Sequence, residues 1–471
     1  AGAPGDPELT ALEHDTRAVR PGALFCCVRG ARVDGHDLAG DAVASGAVAL
    51  LVDHELPLPV PQLVVGDVRV ALGPVAAAFW GHPSRDLTVV GVTGTAGKTT
   101  LTHLLAAILT AAGRPCGVLG TLSGARTTPE APELQARLAE HRRRGDAAVA
   151  MEVSSHGLEL HRVDATAFAV AVFTNLSQDH LDFHGTMEAY YRAKARLFTP
   201  AFTRRAVVCV DDAWGRRLVE EVRAAGDLEV HPYSLDDAAD LRLTPSGASF
   251  MWRGLRLRTP LAGRFNARNA VGAATTAAAL GVPADAVAAG LAEVAPVPGR
   301  FELVDAGQPF TALVDYSHKP DALEQALLAG RELVAEGGRL TVVFGCGGDR
   351  DTAKRPVMGE VATRLADRVV LTSDNPRSED PLAIIEAIRA GATGGAPVEV
   401  EPDRRRAIEV AVCGARPGDV VIVAGKGHET TQVVGDRVIP FDDRAVVRAS
   451  IDRCAGTAAP AGPARPGEGK H

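Results

Sequence analysis

Residues 91–100 read Gly-Val-Thr-Gly-Thr-Ala-Gly-Lys-Thr-Thr, a glycine-rich turn that carries one lysine and two adjacent threonines. The apolar run 87–92 before the turn predicts a buried strand, and leucines and isoleucine spaced for one helix face follow it up to Gly113. Such a turn presents backbone N–H groups and a positive helix end to phosphates. The pattern therefore predicts a nucleoside triphosphate site, with Lys98 at the terminal phosphates and Thr99 as a ligand of Mg²⁺.

The match to the usual phosphate-loop pattern is incomplete, because Val92 stands where that pattern has its first glycine. The alternative interpretation is an ordinary strand–turn–helix corner with a surface lysine. Three glycines, Lys98 and two threonines between an apolar run and an amphipathic run favour the phosphate loop.

Two further polar clusters follow apolar runs that predict strands. The cluster 151–156 lies at the end of the run 147–153, and the cluster 174–180 lies at the end of the run 168–174. Ligands of parallel sheets gather beyond the carboxyl ends of the strands, so Glu152 and His180 are predicted to converge on a metal beside the phosphate loop. The alternatives are a helix N-cap at Ser154 or Ser155 and a hydrogen-bonded turn at Asp179–His180.

The elements that must position these residues alternate between strands and helices. This alternation predicts an α/β protein of three domains, with a central, doubly wound, mostly parallel sheet and a Rossmann-like C-terminal domain. The predicted boundaries are 1–86, 87–297 and 298–454, followed by a disordered tail at 455–471. Outside the central domain we predict a helix at 74–80 and strands at 23–28, 47–52, 62–65, 340–344, 368–372, 398–400 and 420–424.

Composition excludes several classes of protein. The net charge of −8 gives no support for a nucleic-acid partner, and no apolar run approaches the roughly 20 residues of a membrane span. Residues 1–20 lack the layout of a signal peptide. The seven cysteines include no C-x-x-C pair, so we expect reduced thiols and a cytoplasmic location.

Several motifs, taken together with the loop, resemble the Mur ligase family, which usually reads Gly-Thr-Asn-Gly-Lys-Thr at the loop. They extend in the family's order from Asp15-Thr-Arg17 to Gly425-Lys-Gly-His-Glu429, and cover nearly the whole chain. Within the family they are most similar to the member that adds meso-diaminopimelate. The other matching runs are 151–163, 173–198, 263–270, 298–302, 315–323, 345–356 and 374–377.

The resemblance implies a UDP-binding first domain, an ATP-binding second domain and an amino-acid-binding third domain. It implies an ATP-dependent amide ligase that joins meso-diaminopimelate to UDP-N-acetylmuramoyl-L-alanyl-D-glutamate through an acyl phosphate, in cytoplasmic peptidoglycan precursor synthesis. The implied cofactors are ATP and Mg²⁺, and we expect a monomer.

The resemblance also implies the nucleotide and metal residues. Lys98, Lys194 and His180 would be catalytic, and Lys194 would carry a carbamate, although from the residues alone it reads as a solvated helix lysine. The metal ligands would be Thr99, Glu152, His180 and Lys194. The ATP-binding residues would be Gly94, Thr95, Gly97, Lys98, Thr99, Thr100, Asn269, Arg300, Asp315 and Lys319.

Two substrate sites follow from the same resemblance. Thr16, Arg17, Thr127, Thr128, Ser154 and Arg162 would bind the UDP-sugar peptide, and Arg350, Asp374, Asn375, Pro376, Arg377, Gly425 and Glu429 would bind diaminopimelate. The guanidinium of Arg377 suits a distal carboxylate, and Glu429 would take the distal ammonium. Asp380 reads as an N-cap before Pro381. On its own, Arg377 could be a surface arginine at a strand end.

The chain departs from the family at several positions. Ala96 replaces the usual asparagine of the loop, which puts loop rigidity and ATP affinity in question. Gln178 replaces a common arginine, Ser317 a common alanine, and the segment 120–126 is short. Three alternatives stay open: a lysine-adding ligase, a non-catalytic ATP-binding homologue, and a motor or transport ATPase, which would have no use for the run 374–377.

Overall fold

The computed structural model describes residues 7–30 and 33–457, with side chains up to residue 454. The chain forms two compact units. The first contains the residues up to Asp240 together with Phe250–Arg258 and Arg268–Val294, and the second contains Leu241–Ser249, Thr259–Ala267 and the chain from Ala295 onward. Across the described residues, no helix has both the length and the apolar character that crossing a bilayer requires.

The first unit begins with a four-stranded parallel sheet in the order β1-β2-β3-β4. Its strands are β1 (Ala11–Glu13), β2 (Ala23–Cys26), β3 (Ala47–Val52) and β4 (Gln62–Val64), and its helices are α1 (Ala39–Ala44) and α2 (Val68–Phe79). Helix α2 begins earlier than the predicted 74–80. The Asp67 side chain caps it by accepting from two backbone N–H groups, and Val68 and Leu72 are buried, so the helix forms in spite of Pro74 in its interior.

A six-stranded parallel sheet follows, in the order β10-β9-β8-β5-β7-β6. Its strands are β5 (Thr88–Thr93), β6 (Cys116–Leu119), β7 (Ala148–Glu152), β8 (Val170–Phe173), β9 (Arg205–Cys209) and β10 (Glu229–Tyr233). Its helices are α3 (Lys98–Ala111), α4 (Ala131–Arg144), α5 (Ser155–Glu159), α6 (Leu181–His184), α7 (Met187–Ala195) and α8 (Ala213–Ala225). The predicted parallel α/β sheet is confirmed.

The strand order explains why three motifs meet. Strand β5 lies between β7 and β8, with Val92 opposite Glu152 and Thr93 opposite Phe173. The phosphate loop and both polar clusters therefore leave the sheet at adjacent carboxyl ends, where parallel sheets bind their ligands.

A three-stranded sheet, β11-β12-β13, was not predicted from the sequence. Its strands are β11 (Ala239–Thr244), β12 (Gly247–Trp252) and β13 (Leu255–Thr259), and the helices α9 (Arg264–Ala279) and α10 (Ala284–Ala292) follow. Residues 239–244 and 255–258 alternate apolar and polar residues, which is the pattern of a half-exposed strand, and the turn at Arg253–Gly254 takes positive φ. This alternation was the signal that the sequence analysis missed.

The second unit contains a six-stranded sheet in the order β14-β15-β19-β16-β17-β18, with only β14 antiparallel. Its elements are β14 (Glu302–Leu303), β15 (Thr311–Asp315), α11 (Pro320–Arg331), β16 (Leu340–Phe344), α12 (Lys354–Leu365), β17 (Arg368–Leu371), α13 (Pro381–Arg389), β18 (Val398–Val400), α14 (Arg404–Cys413) and β19 (Val420–Ala424).

An antiparallel hairpin of β20 (Thr431–Val434) and β21 (Arg437–Pro440) follows, and helix α15 (Asp443–Thr457) ends the described chain. This helix continues three residues into the predicted tail, and residues 458–471 lie outside the described residues.

The expectation of reduced thiols is wrong for one pair of cysteines. Helices α14 and α15 pack through one hydrophobic cluster, which brings Cys413 and Cys454 to a Cα–Cα distance of 5.6 Å, and the two form a disulfide. The other five cysteines are free. Burial raises the pKa of one of them, Cys346, to about 12.

Candidate active site

The phosphate loop joins β5 to α3 and needs glycine at two positions. Gly94 has φ +146° and Gly97 has φ +86°. A Cβ atom at Gly94 would lie 1.9 Å from Thr174 Oγ1, and one at Gly97 would lie 2.6 Å from Asn269 Oδ1. Ala96 is not among the described residues with positive φ, so an alanine there introduces no backbone strain.

Two lysines donate into this loop. The Nζ atom of Lys98, in the first turn of α3, donates to the carbonyl oxygens of Gly94 and Thr95 at 2.8 Å each. Lys194 on α7 is almost fully buried; its Nζ atom donates to the Gly94 carbonyl at 2.9 Å and lies 4.6 Å from the Tyr190 ring centroid. Lys194 is therefore not the solvated helix lysine that the residues alone suggested.

Glu152, at the end of β7, is buried and faces the first turn of α3. Its Oε1 atom accepts from the Thr99 hydroxyl at 3.0 Å and from the Thr121 backbone N–H at 2.8 Å, and its Oε2 atom accepts from the Thr121 hydroxyl at 3.3 Å. A carboxylate with two hydroxyl groups is the hard oxygen donor set that Mg²⁺ prefers. Thr121 was missed from the sequence, because a threonine in a loop carries no motif.

His180 has φ +53°, and its backbone N–H donates to Asp179 Oδ1 at 2.8 Å. This is the hydrogen-bonded turn that the sequence offered as the alternative to a metal ligand. Its Nε2 atom lies 3.3 Å from Asp179 Oδ2. The ring packs against the rings of His156 and Tyr190, and the Tyr190 hydroxyl is 3.1 Å from Thr95 Oγ1. His180 therefore adjoins the phosphate loop through Tyr190.

Four of the predicted substrate residues form one hydrogen-bonded group around the end of β7. The Thr128 hydroxyl donates to the Glu152 carbonyl at 3.0 Å and accepts from the Ser154 N–H at 2.9 Å. Arg162 donates to the Thr128 carbonyl at 3.2 Å. The Ser154 hydroxyl also caps α5, so Ser154 is both the helix N-cap that the sequence offered as an alternative and a member of this group.

The rest of this group extends toward Glu130 and Thr121. Arg162 pairs with Glu130 at 2.7 Å, and burial lowers the pKa of Arg162. The Thr127 and Thr121 hydroxyls are 3.1 Å apart. The structure does not bring Arg17 to the group, because its side chain is 88% exposed and pairs with Asp15 within the turn that holds Thr16.

In the second unit, Asp315 ends β15 as a buried carboxylate. Its Oδ2 atom accepts from the Phe301 N–H at 2.7 Å, and its Oδ1 atom accepts from the Ser317 N–H at 2.9 Å and from the Ser317 hydroxyl. Burial raises the pKa of Asp315, and the Ser317 hydroxyl opposes that rise. The departure at Ser317 thus supplies a hydrogen bond that alanine could not make.

Two more predicted nucleotide residues lie in this unit. The Arg300 guanidinium lies 4.6 Å from the Tyr316 ring centroid, and Lys319 is the N-cap residue of α11.

The run Asp374-Asn-Pro-Arg377 follows β17. Arg377 has φ +53°, its Nη1 atom donates to the Gly348 carbonyl at 2.6 Å, and its backbone N–H donates to Val433 of the hairpin at 3.1 Å. Arg350 is exposed, and a Cβ atom on Gly347 would lie 2.9 Å from Arg377 Nη1 and 3.9 Å from Arg350 Cγ. The Arg377 guanidinium therefore lies against Gly347, whereas only the stem of Arg350 is near this glycine. The predicted cap of α13 by Asp380 is confirmed.

Glu429 has a buried lysine as its partner, which the sequence analysis missed. Lys426 is fully buried, and its Nζ atom donates to Glu429 Oε2 at 2.9 Å and to Asn375 Oδ1 at 3.2 Å. The Asn375 amide also donates to Glu429 Oε2, at 2.9 Å. Burial raises the pKa of Glu429, but the hydrogen bonds from Lys426 and Asn375 and the nearby positive charge together lower it by more, so the net shift of the pKa is downward. Lys426 stands inside the motif Gly425-Lys-Gly-His-Glu429, and this position was the sequence signal from which its role could have been predicted.

Asp374 and Gly425 approach each other beside this group. A Cβ atom on Gly425, which has φ +115°, would lie 2.6 Å from Asp374 Oδ2. Burial raises the pKa of Asp374. Arg404, whose side chain is fully buried, donates to the Ser373 carbonyl at 3.3 Å and pairs with Asp443 at 2.7 Å, and so fixes the backbone next to Asp374.

Among the described residues, one group of metal-ligating types lies elsewhere, at His36, Asp53 and His54. His36 Nδ1 is 2.6 Å from Asp34 Oδ1, and His36 Nε2 accepts from the Asp53 backbone N–H at 3.2 Å. Because both ring nitrogens of His36 already have protein partners, this group braces the loops after β2 and β3.

Comparison with known proteins identifies the family. Sequence models of the Mur ligase family match three segments: the Mur ligase family catalytic domain over residues 8–80, the Mur ligase middle domain over 92–277, and the Mur ligase glutamate ligase domain over 299–427.

Individual relatives extend over nearly the whole chain. The chain is 47% identical to the UDP-N-acetylmuramoyl-L-alanyl-D-glutamate–2,6-diaminopimelate ligase of Streptomyces avermitilis, over 96% of this chain and 94% of that one. It is 44% identical to the ligase of the same name from Geobacillus thermodenitrificans, over 95% and 96%. A solved structure of such a ligase matches with a TM-score of 0.69 and 34% identity, over 94% and 95%. With this identity over this length, the chain belongs to the Mur ligase family.

Proposed function

We propose that this chain is an ATP-dependent ligase that adds meso-diaminopimelate to UDP-N-acetylmuramoyl-L-alanyl-D-glutamate in peptidoglycan precursor synthesis. The observation that carries the proposal is the convergence of a phosphate loop, two lysines and the Glu152–Thr99 pair at the carboxyl ends of β5, β7 and β8. The names of the full-length relatives supply the reaction.

The residues fit the chemistry of carboxylate activation. A carboxylate is a poor acyl donor, so the γ-phosphoryl group of ATP converts it to an acyl phosphate, which the amine then attacks with loss of phosphate. Lys98 and the N-terminus of α3 stabilise the charge on the transferred phosphoryl group. Glu152 and Thr99 would hold Mg²⁺, which neutralises phosphate charge when it is bound.

The remaining site residues extend this proposal. Thr127, Thr128, Ser154 and Arg162 would bind the peptide end of the UDP substrate, with Thr16 and Arg17 at its nucleotide. Asn269, Arg300, Asp315 and Lys319 would bind ATP with the loop. We infer that Lys194 is carbamylated in the active enzyme, that His180 is a metal ligand, and that the enzyme is a cytoplasmic monomer of three domains with the boundaries given above.

Arg377 and Glu429 are the residues that would select diaminopimelate. The amino acid has a distal carboxylate and a distal ammonium that lysine and simple amino acids do not combine. The guanidinium of Arg377 suits the carboxylate, and Arg350 would supply a second guanidinium to this site. Glu429, already fixed by Lys426 and Asn375, offers its other oxygen, Oε1, to the ammonium.

The test is phosphate release by the purified protein with ATP, Mg²⁺ and the UDP-dipeptide, comparing diaminopimelate, lysine and no amino acid. We expect release that depends on both the UDP-dipeptide and diaminopimelate, with a product whose mass increases by one diaminopimelate residue. A higher rate with lysine than with diaminopimelate would support a lysine-adding ligase, equal rates would contradict selection of diaminopimelate, and no release with either amino acid would contradict a ligase altogether.

A further inference from the structure

At Ala96, the phosphate loop is braced by the segment that follows β8 and not by a side chain of residue 96 itself. Residue 96 is an alanine, whose methyl group cannot form a hydrogen bond. The Thr95 N–H donates to the Asn175 carbonyl at 2.9 Å, which continues the parallel pairing of β5 with β8 beyond both strands.

The Asn175 side chain contacts both backbone polar groups of Ala96. The Ala96 N–H donates to Asn175 Oδ1 at 3.0 Å, and Asn175 Nδ2 donates to the Ala96 carbonyl at 3.0 Å. The Thr174 hydroxyl donates to the same carbonyl at 2.6 Å. The N–H and the carbonyl of one residue belong to successive peptide groups, so one carboxamide fixes the orientation of two peptide planes.

These planes determine where the loop directs its donors. The peptide between Ala96 and Gly97 carries the Ala96 carbonyl on one side and the Gly97 N–H on the other. Holding that carbonyl toward Asn175 points the Gly97 N–H away from β8. A phosphate loop binds its ligand through N–H groups held in a fixed direction.

We propose that Asn175 is a positioning residue for the triphosphate, acting through the Ala96–Gly97 peptide. The inference rests on the proposed function only in requiring that the chain bind ATP. It also explains how the loop can be held in place without the usual asparagine at residue 96, because the segment that follows β8 supplies the hydrogen bonds.

The direct test is calorimetric binding of Mg-ATP and Mg-ADP to the full-length protein in the absence of the other substrates. Asn175→Ala removes two hydrogen bonds and should weaken ATP binding about tenfold. Asn175→Asp keeps the shape and the acceptor but places a carboxylate oxygen against the Ala96 carbonyl, so it should weaken binding at least as much. Gln178→Ala, an exposed position in the same segment, is the matched control and should bind as the wild type does.

Steady-state kinetics separate positioning from a general structural role. The KM for ATP should rise by the same factor as the dissociation constant, while the KM values for the UDP-dipeptide and the amino acid stay unchanged. The kcat at saturating ATP should remain within about threefold. Amide hydrogen exchange should accelerate at residues 94–97 and not in the strands of the sheet.

Unchanged ATP affinity in both Asn175 variants would overturn the inference. A parallel loss of affinity for all three substrates, or exchange that accelerates through the whole sheet, would also overturn it in favour of a general folding role. If Asn175→Ala does not fold, the isosteric Asn175→Asp decides. A wild-type protein that does not bind ATP would overturn the proposed function and this inference together, whereas normal binding by all variants overturns this inference alone.

Discussion

Lys98 and Lys194 donate to the same carbonyl oxygen, that of Gly94, at 2.8 Å and 2.9 Å. One lysine comes from the helix that follows the loop and the other from α7, nearly a hundred residues later in the chain. The two side chains therefore meet at the start of the phosphate loop. Their proposed roles differ, because Lys98 would keep its positive charge toward the phosphates whereas Lys194 would carry an anionic carbamate.

Lys98→Ala should abolish phosphate release while the protein stays folded. The ammonium of Lys98 would stabilise the charge on the transferred phosphoryl group. A single positive side chain in this position, such as an arginine finger, contributes on the order of a thousandfold to the rate of phosphoryl transfer. The measurement is phosphate release with all substrates present, accompanied by a thermal melt. Release near the wild-type rate would contradict the ATP site.

Lys194→Ala should also be nearly inactive, and short carboxylic acids should partly restore its activity. We predict this because a carbamate on Lys194 would be a metal-facing anion that a free carboxylate can replace. The carbamate itself should appear as a ¹³C resonance after equilibration with ¹³C-bicarbonate, and Lys194→Ala should lack that resonance. Arg192→Ala, on an exposed face of the same helix, is the control. Full activity without a carbamate signal would count against the modification.

Glu152→Gln should raise the Mg²⁺ concentration required for half-maximal activity by roughly a hundredfold. The amide keeps the size of the side chain but removes the charge that faces the Thr99 hydroxyl at 3.0 Å. Magnesium titrations of wild type and variant at fixed ATP would measure the shift. Coincident titration curves would show that Glu152 is not a metal ligand.

Arg377→Ala should lose most of its activity with diaminopimelate. The ratio of activity with diaminopimelate to activity with lysine should fall by a factor on the order of several hundred relative to the wild type. Without a distal carboxylate, the guanidinium would lose an ionic partner. Arg377→Lys keeps the charge but not the planar fork and should recover only part of the preference. The KM for ATP should be unaffected in both variants. A variant that keeps the full preference would exclude Arg377 as the selecting residue.

The stability of the protein should fall as the pH drops below about 6.5, and His318 should account for part of the loss. Burial lowers the pKa of His318 from 6.5 to about 3, so between these values the unfolded chain binds a proton that the folded chain does not. The contribution of neutral His318 to the free energy of unfolding is fully present above pH 6.5. It is lost progressively as the pH falls toward 3, and the total loss is on the order of several kcal/mol.

Denaturant unfolding at several pH values would measure this effect. His318→Gln should give a shallower decline of the free energy of unfolding between pH 6.5 and 4.5 than the wild type gives. Parallel declines in the two proteins would contradict the assignment.

Much of the two six-stranded sheets could be predicted from the sequence, because most of their strands are continuous apolar runs, and several end at polar clusters. The strands at 340–344, 398–400 and 420–424 have the predicted bounds, and the strands that precede Glu152 and Asn175 differ by only one or two residues at their ends. Helix α2 was misplaced because tertiary packing overrides Pro74 in its interior. The three-stranded sheet was missed although residues 239–244 and 255–258 alternate apolar and polar residues, as half-exposed strands do.

The candidate site was predictable where a motif brings its residues close in sequence, as at Lys98 and Thr99. It was not predictable where the contact joins distant segments through residue types that have no distinctive pattern. Thr121 against Glu152 and Asn175 against Ala96 are such contacts, because threonine and asparagine are common in ordinary turns. Lys426 was overlooked because a lysine is normally exposed, and its burial depends on Glu429.

The bracing of the phosphate loop also has a consequence for the thermodynamics of nucleotide binding. Ordering one residue of backbone costs roughly 1–2 kcal/mol of conformational entropy. Because Thr174, Asn175 and Tyr190 hold residues 94–97 before any nucleotide arrives, this entropy is lost when the chain folds and not when ATP binds. Affinity for ATP is then linked to the local stability at the end of β8, so mild denaturant that frays this end should weaken nucleotide binding before the sheet itself unfolds.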